Sequence, residues 1–238
     1  MPYVFDLDRL GRDAEGLRTR FATAMPYPHA VIDDFLDPQH AAELARVFPR
    51  PDDAVAWEQF QVETVEKKLA SAREERFPPA LRRAIHDLNA GPFLTFLERM
   101  TAIEHLLPDP HLTGGGIHLS RRGDHLGIHA DFNWHPGLEA HRRLNLLVYL
   151  TPEWRPEYAG ELELWDTSGA RRECSIAPLF NRAVIFATRS DTFHGHPNPW
   201  SAPEGVYRQS IALYYYTSTR PPSELRAAHS TLYKGHNA

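Results

Sequence analysis

From Pro108 to about residue 217 the chain is a succession of short β-favouring runs, separated by glycine, proline and charged turns. No other feature restricts the fold as strongly. Leu144-Asn145-Leu146-Leu147-Val148-Tyr149-Leu150, Glu161-Leu162-Glu163-Leu164-Trp165, Ala183-Val184-Ile185-Phe186 and Ser210-Ile211-Ala212-Leu213-Tyr214-Tyr215-Tyr216 are strand length rather than helix length. Short strands with regular turn signals build sandwiches and barrels. The expected fold class is therefore mainly β, with flanking helices.

The helices belong to the first hundred residues. After Val31-Ile32-Asp33-Asp34-Phe35-Leu36, Asp37 is a good N-cap and Pro38 suits a first helical position. Leu44, Val47 and Phe48 then recur at helical spacing, so a helix is expected over about 38–48, stopped by Pro49 and Pro51. Trp57, Phe60 and Val62 alternate as in a strand. Leu81, Ile85 and Leu88 give a helical face between Pro79 and Asn89, and Phe93, Leu97 and Met100 another after Gly91-Pro92. Residues 1–25 read as polar and weakly patterned, a solvated stretch. The whole, 1–238, is expected to be a single domain. It comprises helical support to about 107, a β core over about 108–217, and a polar tail, 218–238, packed along the surface.

Composition narrows the function. A formal charge of -5 carries no footprint for a nucleic acid or an anionic membrane. One cysteine, Cys174, rules out an internal disulfide and a cysteine-built zinc site, and fits a reducing, cytoplasmic setting. No signal peptide and no membrane span is expected. Fourteen histidines leave ample material for metal ligands.

The chemistry gathers around Gly127-Ile128-His129-Ala130-Asp131-Phe132-Asn133. In a strand alternate side chains share a face, so His129 and Asp131 stand side by side with Asn133 one step on. An imidazole and a carboxylate so placed are two thirds of a 2-His-1-carboxylate triad, which leaves coordination positions open on Fe(II). The third ligand is His194 or His196 in Phe193-His194-Gly195-His196, with His194 favoured and His196 on the same cavity wall. Arg208 and Ser210 share a face of the last long strand. A guanidinium grips a carboxylate through two parallel hydrogen bonds, and a hydroxyl adds a third. Tyr149, in register with Asn145 and Leu147, is placed to join Arg208. Asn133, Trp134, His196 and His118 are the candidate substrate contacts.

Taken in order, these pieces resemble the Fe(II)- and 2-oxoglutarate-dependent dioxygenases of the prolyl-4-hydroxylase-like branch. The matching stretches are Gly-x-x-x-x-x-His-x-Asp from Gly123 to Asp131, Arg142-Arg143-Leu144-Asn145 through Leu150, Trp154, Gly160 to Trp165, Pro178 to Arg182, Phe193-His194-Gly195 and Arg208-Gln209-Ser210. The similarity spans roughly residues 28–217. It implies a double-stranded β-helix, or jelly roll, core. It implies His129, Asp131 and His194 as iron ligands, with Arg208 and Tyr149 at the distal carboxylate of 2-oxoglutarate. Leu147, Leu162, Ala212 and Tyr214 become pocket wall. It implies consumption of 2-oxoglutarate and O2, release of succinate and CO2, and hydroxylation of an aliphatic C–H. The substrate is then a small molecule or an amino-acid or peptidyl unit, a prolyl residue among them. The chain departs from the family at Ser120, where a tyrosine is common, which puts one cosubstrate contact in doubt or passes it to His118. Gly114-Gly115-Gly116 and Asn133-Trp134-His135-Pro136 are not general family features.

Two other classes compete. A cupin-like zinc or other divalent-metal isomerase or hydrolase would use the same three ligands, but it leaves Arg208, Ser210 and Tyr149 without work. A jelly-roll binding module without activity does not need a complete ligand set. Within the iron enzymes, Asp131 fills the position that a halogenase leaves to halide.

Overall fold

The computed structural model describes residues 2–62 and 65–234, with the backbone alone at 60–62, so the side chains of Phe60 and Val62 lie outside the described residues. Helix α1 (Leu7–Thr23) occupies the stretch that reads as unpatterned. Its surplus of polar residues hides one narrow stripe, Leu10, Ala14, Leu17 and Phe21, spaced four, three and four apart and fully buried. The Asp6 carboxylate caps it by accepting from the Arg9 N–H at 2.9 Å. Strand β1 (His29–Ile32) and helix α2 (Pro38–Val47) follow, and Asp37 accepts from the N–H groups of Gln39 and His40, as its type and place predict. A hairpin, β2 (Glu58–Val62) and β3 (Glu66–Ser71), precedes α3 (Pro79–Leu88) and α4 (Gly91–Thr101).

The β half then runs β4 (Leu107–Pro108), β5 (Gly116–Ser120), β6 (His125–Ala130), β7 (Trp134–His135), β8 (Ala140–Tyr149), β9 (Leu162–Trp165), β10 (Arg172–Ile176), β11 (Ala183–Ala187), β12 (His194–His196), β13 (Arg208–Thr217) and β14 (Leu232–Tyr233). The strand order is β1-β11-β8-β13-β5-β3-β6-β12-β9-β10. All described pairings are antiparallel. The path curls into a jelly roll, with a larger sheet ending at β3 and a smaller one, β6-β12-β9-β10, continuing from it.

The central pair β8 and β13 has two faces set by alternation, broken by a register shift between Tyr215 and Tyr216 beyond which Arg142 joins the face of Asn145. Leu144, Leu146 and Val148, with Ile211, Leu213 and Tyr215, point to the helices and join their buried side chains in the largest apolar cluster. Each such aliphatic side chain, fully buried, contributes about 1.5–3 kcal/mol. The Tyr215 hydroxyl is satisfied by donating to the Leu88 carbonyl at the end of α3. The opposite face, with Asn145, Leu147, Arg208, Ser210 and Tyr214, lines the interior of the roll.

The tail follows the surface, but a particular part of it. Arg220 is buried and donates to the carbonyls of Arg142 and Thr188, which sends the chain back over the mouth of the roll. There β14 pairs with the free end of β6, Leu232 opposite Ala130 and Tyr233 opposite His129. Among the described residues no helix is long and apolar enough to cross a membrane.

Candidate metal centre

Strand β6 ends at Ala130, so Asp131 lies one residue beyond it and still faces the same way as His129. His194 begins β12 and is the register partner of His129. Close approach of the two strands requires Gly195, because a Cβ there would lie 2.6 Å from the Gly127 carbonyl oxygen. The consequence is a buried cluster in which His129, Asp131 and His194 each bring one ligand atom within 4.8 Å of the others.

Both imidazoles are oriented from behind. His129 Nδ1 lies 2.8 Å from the Gly127 carbonyl and His194 Nδ1 3.1 Å from that of Thr192. Carbonyls only accept, so Nδ1 carries the proton and the Nε2 lone pairs are left to face the carboxylate. His129 Nε2 is 3.5 Å from Asp131 Oδ1, and His194 Nε2 is 3.4 Å from Oδ2. Donors held about 2.1 Å from one ion at right-angled to tetrahedral geometry lie about 3.0–3.4 Å apart, so the spacing suits an ion in the middle. Burial lowers the His194 pKa to about 4, which keeps the ring neutral and available as a ligand at ordinary pH.

Asp131 has a second environment that the sequence reading missed. Its Oδ2 accepts from Asn145 Nδ2 at 2.7 Å and faces Arg142 NH2 at 3.1 Å. Arg142 is completely buried, donates through Nε to Asn145 Oδ1, and lies 3.4 Å over the Tyr214 ring. Burial works to raise the Asp131 pKa, but Arg142, His194 and His129 outweigh it and hold the carboxyl well below the usual range. With Oδ2 accepting from Asn145 and paired with the Arg142 charge, Oδ1 is the less encumbered oxygen for a metal. The clue in sequence was Arg142-x-x-Asn145, but only the pairing of β8 beside Asp131 gives it meaning.

These ligands open on a cavity of about 70 Å³. Arg208, Ser210, Leu147, Leu162, His118, His196 and Tyr214 all line it, as does Lys68, which the sequence reading did not find. Arg208 is fixed by donating through Nε to the Gly160 carbonyl at 2.8 Å. Gly160 has φ +77, and a Cβ there would lie 2.7 Å from the Trp200 ring, so only glycine fits comfortably. The Arg208 guanidinium lies 4.9 Å from the centre of the Tyr149 ring, and the Tyr149 hydroxyl is buried with no hydrogen-bond partner. His118 Nε2 and His196 Nδ1 are likewise buried and unpartnered. Burial depresses the pKa of both histidines well below the ordinary value, with Lys68 and Arg208 adding to the effect. Ala212 is buried on the same inward face.

Two of the expected substrate contacts lie elsewhere. Asn133 points away from the cavity and holds the tail: Nδ2 donates to the Ala227 carbonyl and Oδ1 accepts from the His229 N–H, both at 2.9 Å. Alternation predicts a shared face with His129, but the strand has already ended. Trp134 stands edge-on to His141 and borders a shallow outer groove with Phe132 and tail residues 228–231.

Residues 115–216 match the family described as the 2OG-Fe(II) oxygenase superfamily. Over that stretch the jelly-roll core is similar to those of the 2OG-Fe(II) oxygenases. Prolyl 3-hydroxylase OGFOD1 of Mus musculus is 32% identical over 88 residues, a stretch covering 34% of this chain and 16% of that protein. In solved structures, the fold is shared with a Trichoplax adhaerens prolyl hydroxylase in complex with a hypoxia inducible factor peptide. The TM-score is 0.63 at 18% identity, over 88% of this chain and 91% of that one. It is shared also with a Pseudomonas putida prolyl-4-hydroxylase, TM-score 0.60 at 17% identity, over 86% and 98%. The core thus brings together a donor set that suits Fe(II). Its cavity combines one anchored guanidinium with buried, unpartnered polar atoms, which fits an anionic cosubstrate such as 2-oxoglutarate.

Proposed function

We propose that the protein is an Fe(II)- and 2-oxoglutarate-dependent dioxygenase that hydroxylates an aliphatic C–H of a small molecule or an amino-acid unit, prolyl included. The observation that carries the reading is the joint occurrence, in one cavity, of the His129, Asp131 and His194 cluster and the anchored Arg208. His129, Asp131 and His194 would hold iron on one face, and the bound iron with 2-oxoglutarate and O2 would supply the oxidising chemistry. The chain's own residues do the rest. Arg208, fixed at Nε, presents its terminal nitrogens to the distal carboxylate as a two-pronged donor. Ser210 and the unpartnered Tyr149 hydroxyl add hydrogen bonds there. Leu147, Leu162 and Phe186 keep water from the reacting centre. Asn145 and Arg142 hold Asp131 so that it offers one oxygen rather than two. A carboxylate that offers one oxygen rather than two would leave more of a bound ion's positions to the cosubstrate and O2.

Prolyl chemistry is supported by the mouse relative and by the two solved structures, each of them a prolyl hydroxylase. The test is anaerobic reconstitution with Fe(II), followed by O2 uptake and succinate formation with and without 2-oxoglutarate. Product mass spectrometry on free proline and on proline-containing peptides then identifies the hydroxylated unit. Turnover supported by zinc and indifferent to 2-oxoglutarate would replace this reading by that of a divalent-metal hydrolase or isomerase.

A further inference from the structure

The tail from Arg226 to Lys234 is built into the rim of the site by contacts spread over five segments of the chain. Asn133, two residues from a metal ligand, clasps Ala227 and His229. His229 Nε2 meets Ser190 Oγ at 2.7 Å on the turn before β12. The Lys234 N–H donates to the Ile128 carbonyl on β6, and its ammonium donates to the Ser168 carbonyl. Most telling is Tyr233. Its ring lies 5.4 Å, centre to centre, from the ring of His129, and its hydroxyl donates to Glu66 on β3. Glu66 in turn pairs with Lys68 at 3.0 Å, and Lys68 lines the cavity.

The strap therefore bridges the β2–β3 hairpin and the metal-bearing end of β6. Yet its hold is polar and local. Residues 225–228 and 230 are exposed, and β14 adds only two residues of pairing. Segments held by few apolar contacts open at free energies far below that of global unfolding. A strap of this kind closes over a ligand and releases it without disturbing the roll.

We propose that residues 226–234 are the roof of the site, and that Tyr233, clasped to Glu66, is a specificity-determining residue. A compact molecule is enclosed with the strap shut, whereas a polypeptide reaches the ligands only after the clasp opens. The substrate class that follows is a compact one, such as a free amino acid or a metabolite of similar size. This deepens the dioxygenase reading and rests on it for the word substrate, but the roof itself is a property of the chain and is tested without turnover.

The experiment loads wild type, Tyr233→Phe and a chain ending at Leu225 with Fe(II) alone, without oxygen, and follows capture of the iron by 2,2′-bipyridine. A hydrogen bond to a charged group contributes about 1.5–3 kcal/mol, so its loss should raise the open population, and the capture rate, by about tenfold or more. The shortened chain should be at least as fast. Backbone hydrogen exchange over residues 229–234 should accelerate in Tyr233→Phe by a similar factor. Equal capture rates in all three chains would overturn the proposal. So would a fall in equilibrium iron affinity large enough to account for faster capture, because Tyr233 would then support a ligand rather than a roof. In a second arm, turnover of free proline and of a proline-containing peptide are compared. The roof predicts that opening the clasp raises peptide turnover relative to that of the free amino acid. A ratio unchanged by Tyr233→Phe would remove its role in specificity. Absence of turnover on either compound in every chain would count against the function assigned above, while the capture measurement would still decide the roof.

Discussion

The two faces of β8 and β13 are made by alternating residues of the same strands, yet they follow different rules. Toward the helices, Leu144, Leu146, Val148, Ile211 and Leu213 fill a dry cluster, and its one hydroxyl, on Tyr215, has a partner. Toward the interior of the roll, Arg142, Asn145, Tyr149, Arg208 and Ser210 are as deeply buried but only partly satisfied. A buried polar atom without a partner costs about 1–3 kcal/mol. The helix face supplies stability, and the inner face gives some of it up to hold polar groups where ligands arrive. The difference is what separates scaffold from site in a fold where both are strands of one sheet.

The comparison can be broken most forcefully at the metal. His129→Ala and His194→Ala should each abolish iron binding and 2-oxoglutarate turnover, while His196→Ala keeps the metal. The chemical-denaturation midpoint of the His194→Ala chain should fall less than that of Leu146→Ala, for which about 2–5 kcal/mol is expected. If His196→Ala loses iron and His194→Ala does not, the distal ligand is misassigned.

Asp131→Ala should behave differently from the histidine changes, because it strands the Arg142 charge in the interior. Breaking a buried pair from one side costs about 3–5 kcal/mol. The double variant Asp131→Ala with Arg142→Met should regain much of that stability and none of the turnover. Denaturation curves of the two single variants and the double variant measure this coupling directly, and simple additivity would show that the pair is not coupled.

At the far end of the cavity, Arg208→Ala should weaken apparent affinity for 2-oxoglutarate by a factor on the order of 10² or more, from a loss of about 2–5 kcal/mol. A titration of turnover against 2-oxoglutarate reads it, and an unchanged midpoint would remove the carboxylate clamp from Arg208.

The smallest effect concerns His118. Burial, followed by Lys68 and Arg208, depresses its pKa in the fold, so the native chain resists a proton that the unfolded chain accepts below about pH 6.5. Stability contributed by keeping this ring neutral is intact above that pH and is lost as pH falls through it. Between pH 7.5 and 5.5 the wild type should lose stability that His118→Gln retains, on the order of 1 kcal/mol. Urea denaturation at the two pH values makes the comparison, and parallel losses in both chains would assign the dependence to other groups.

Legibility in the sequence followed the same division. The strands of the roll were readable because alternation and turns are local signals, and helix α2 because Asp37-Pro38 states its own start. Helix α1 was not, since four buried residues among many polar ones give a stripe visible only when the spacing is counted. The His129, Asp131 and His194 grouping was legible through strand period and family likeness. Arg142 and Tyr233 were not, because each acquires its place from a residue on another segment, Asp131 and His129 respectively. Lys68 was not, because only the pairing of β3 with β5 and β6 brings it to the cavity. Asn133 was misread for a related reason, since alternation was extended past Ala130, where the strand stops.

The register of His129 opposite His194 has a consequence for the life of the protein in a cell. The two rings sit on β6 and β12, and the chain lays down β7 to β11 between them. An ion gripped by both is a staple across that long loop, made only once the intervening chain has found its place. Whatever binds the native chain and not the unfolded one adds RT ln(1 + [L]/Kd) to stability. Iron scarcity should therefore thin the population of intact molecules as well as idle them, and a protease that samples openings would report the cell's iron supply.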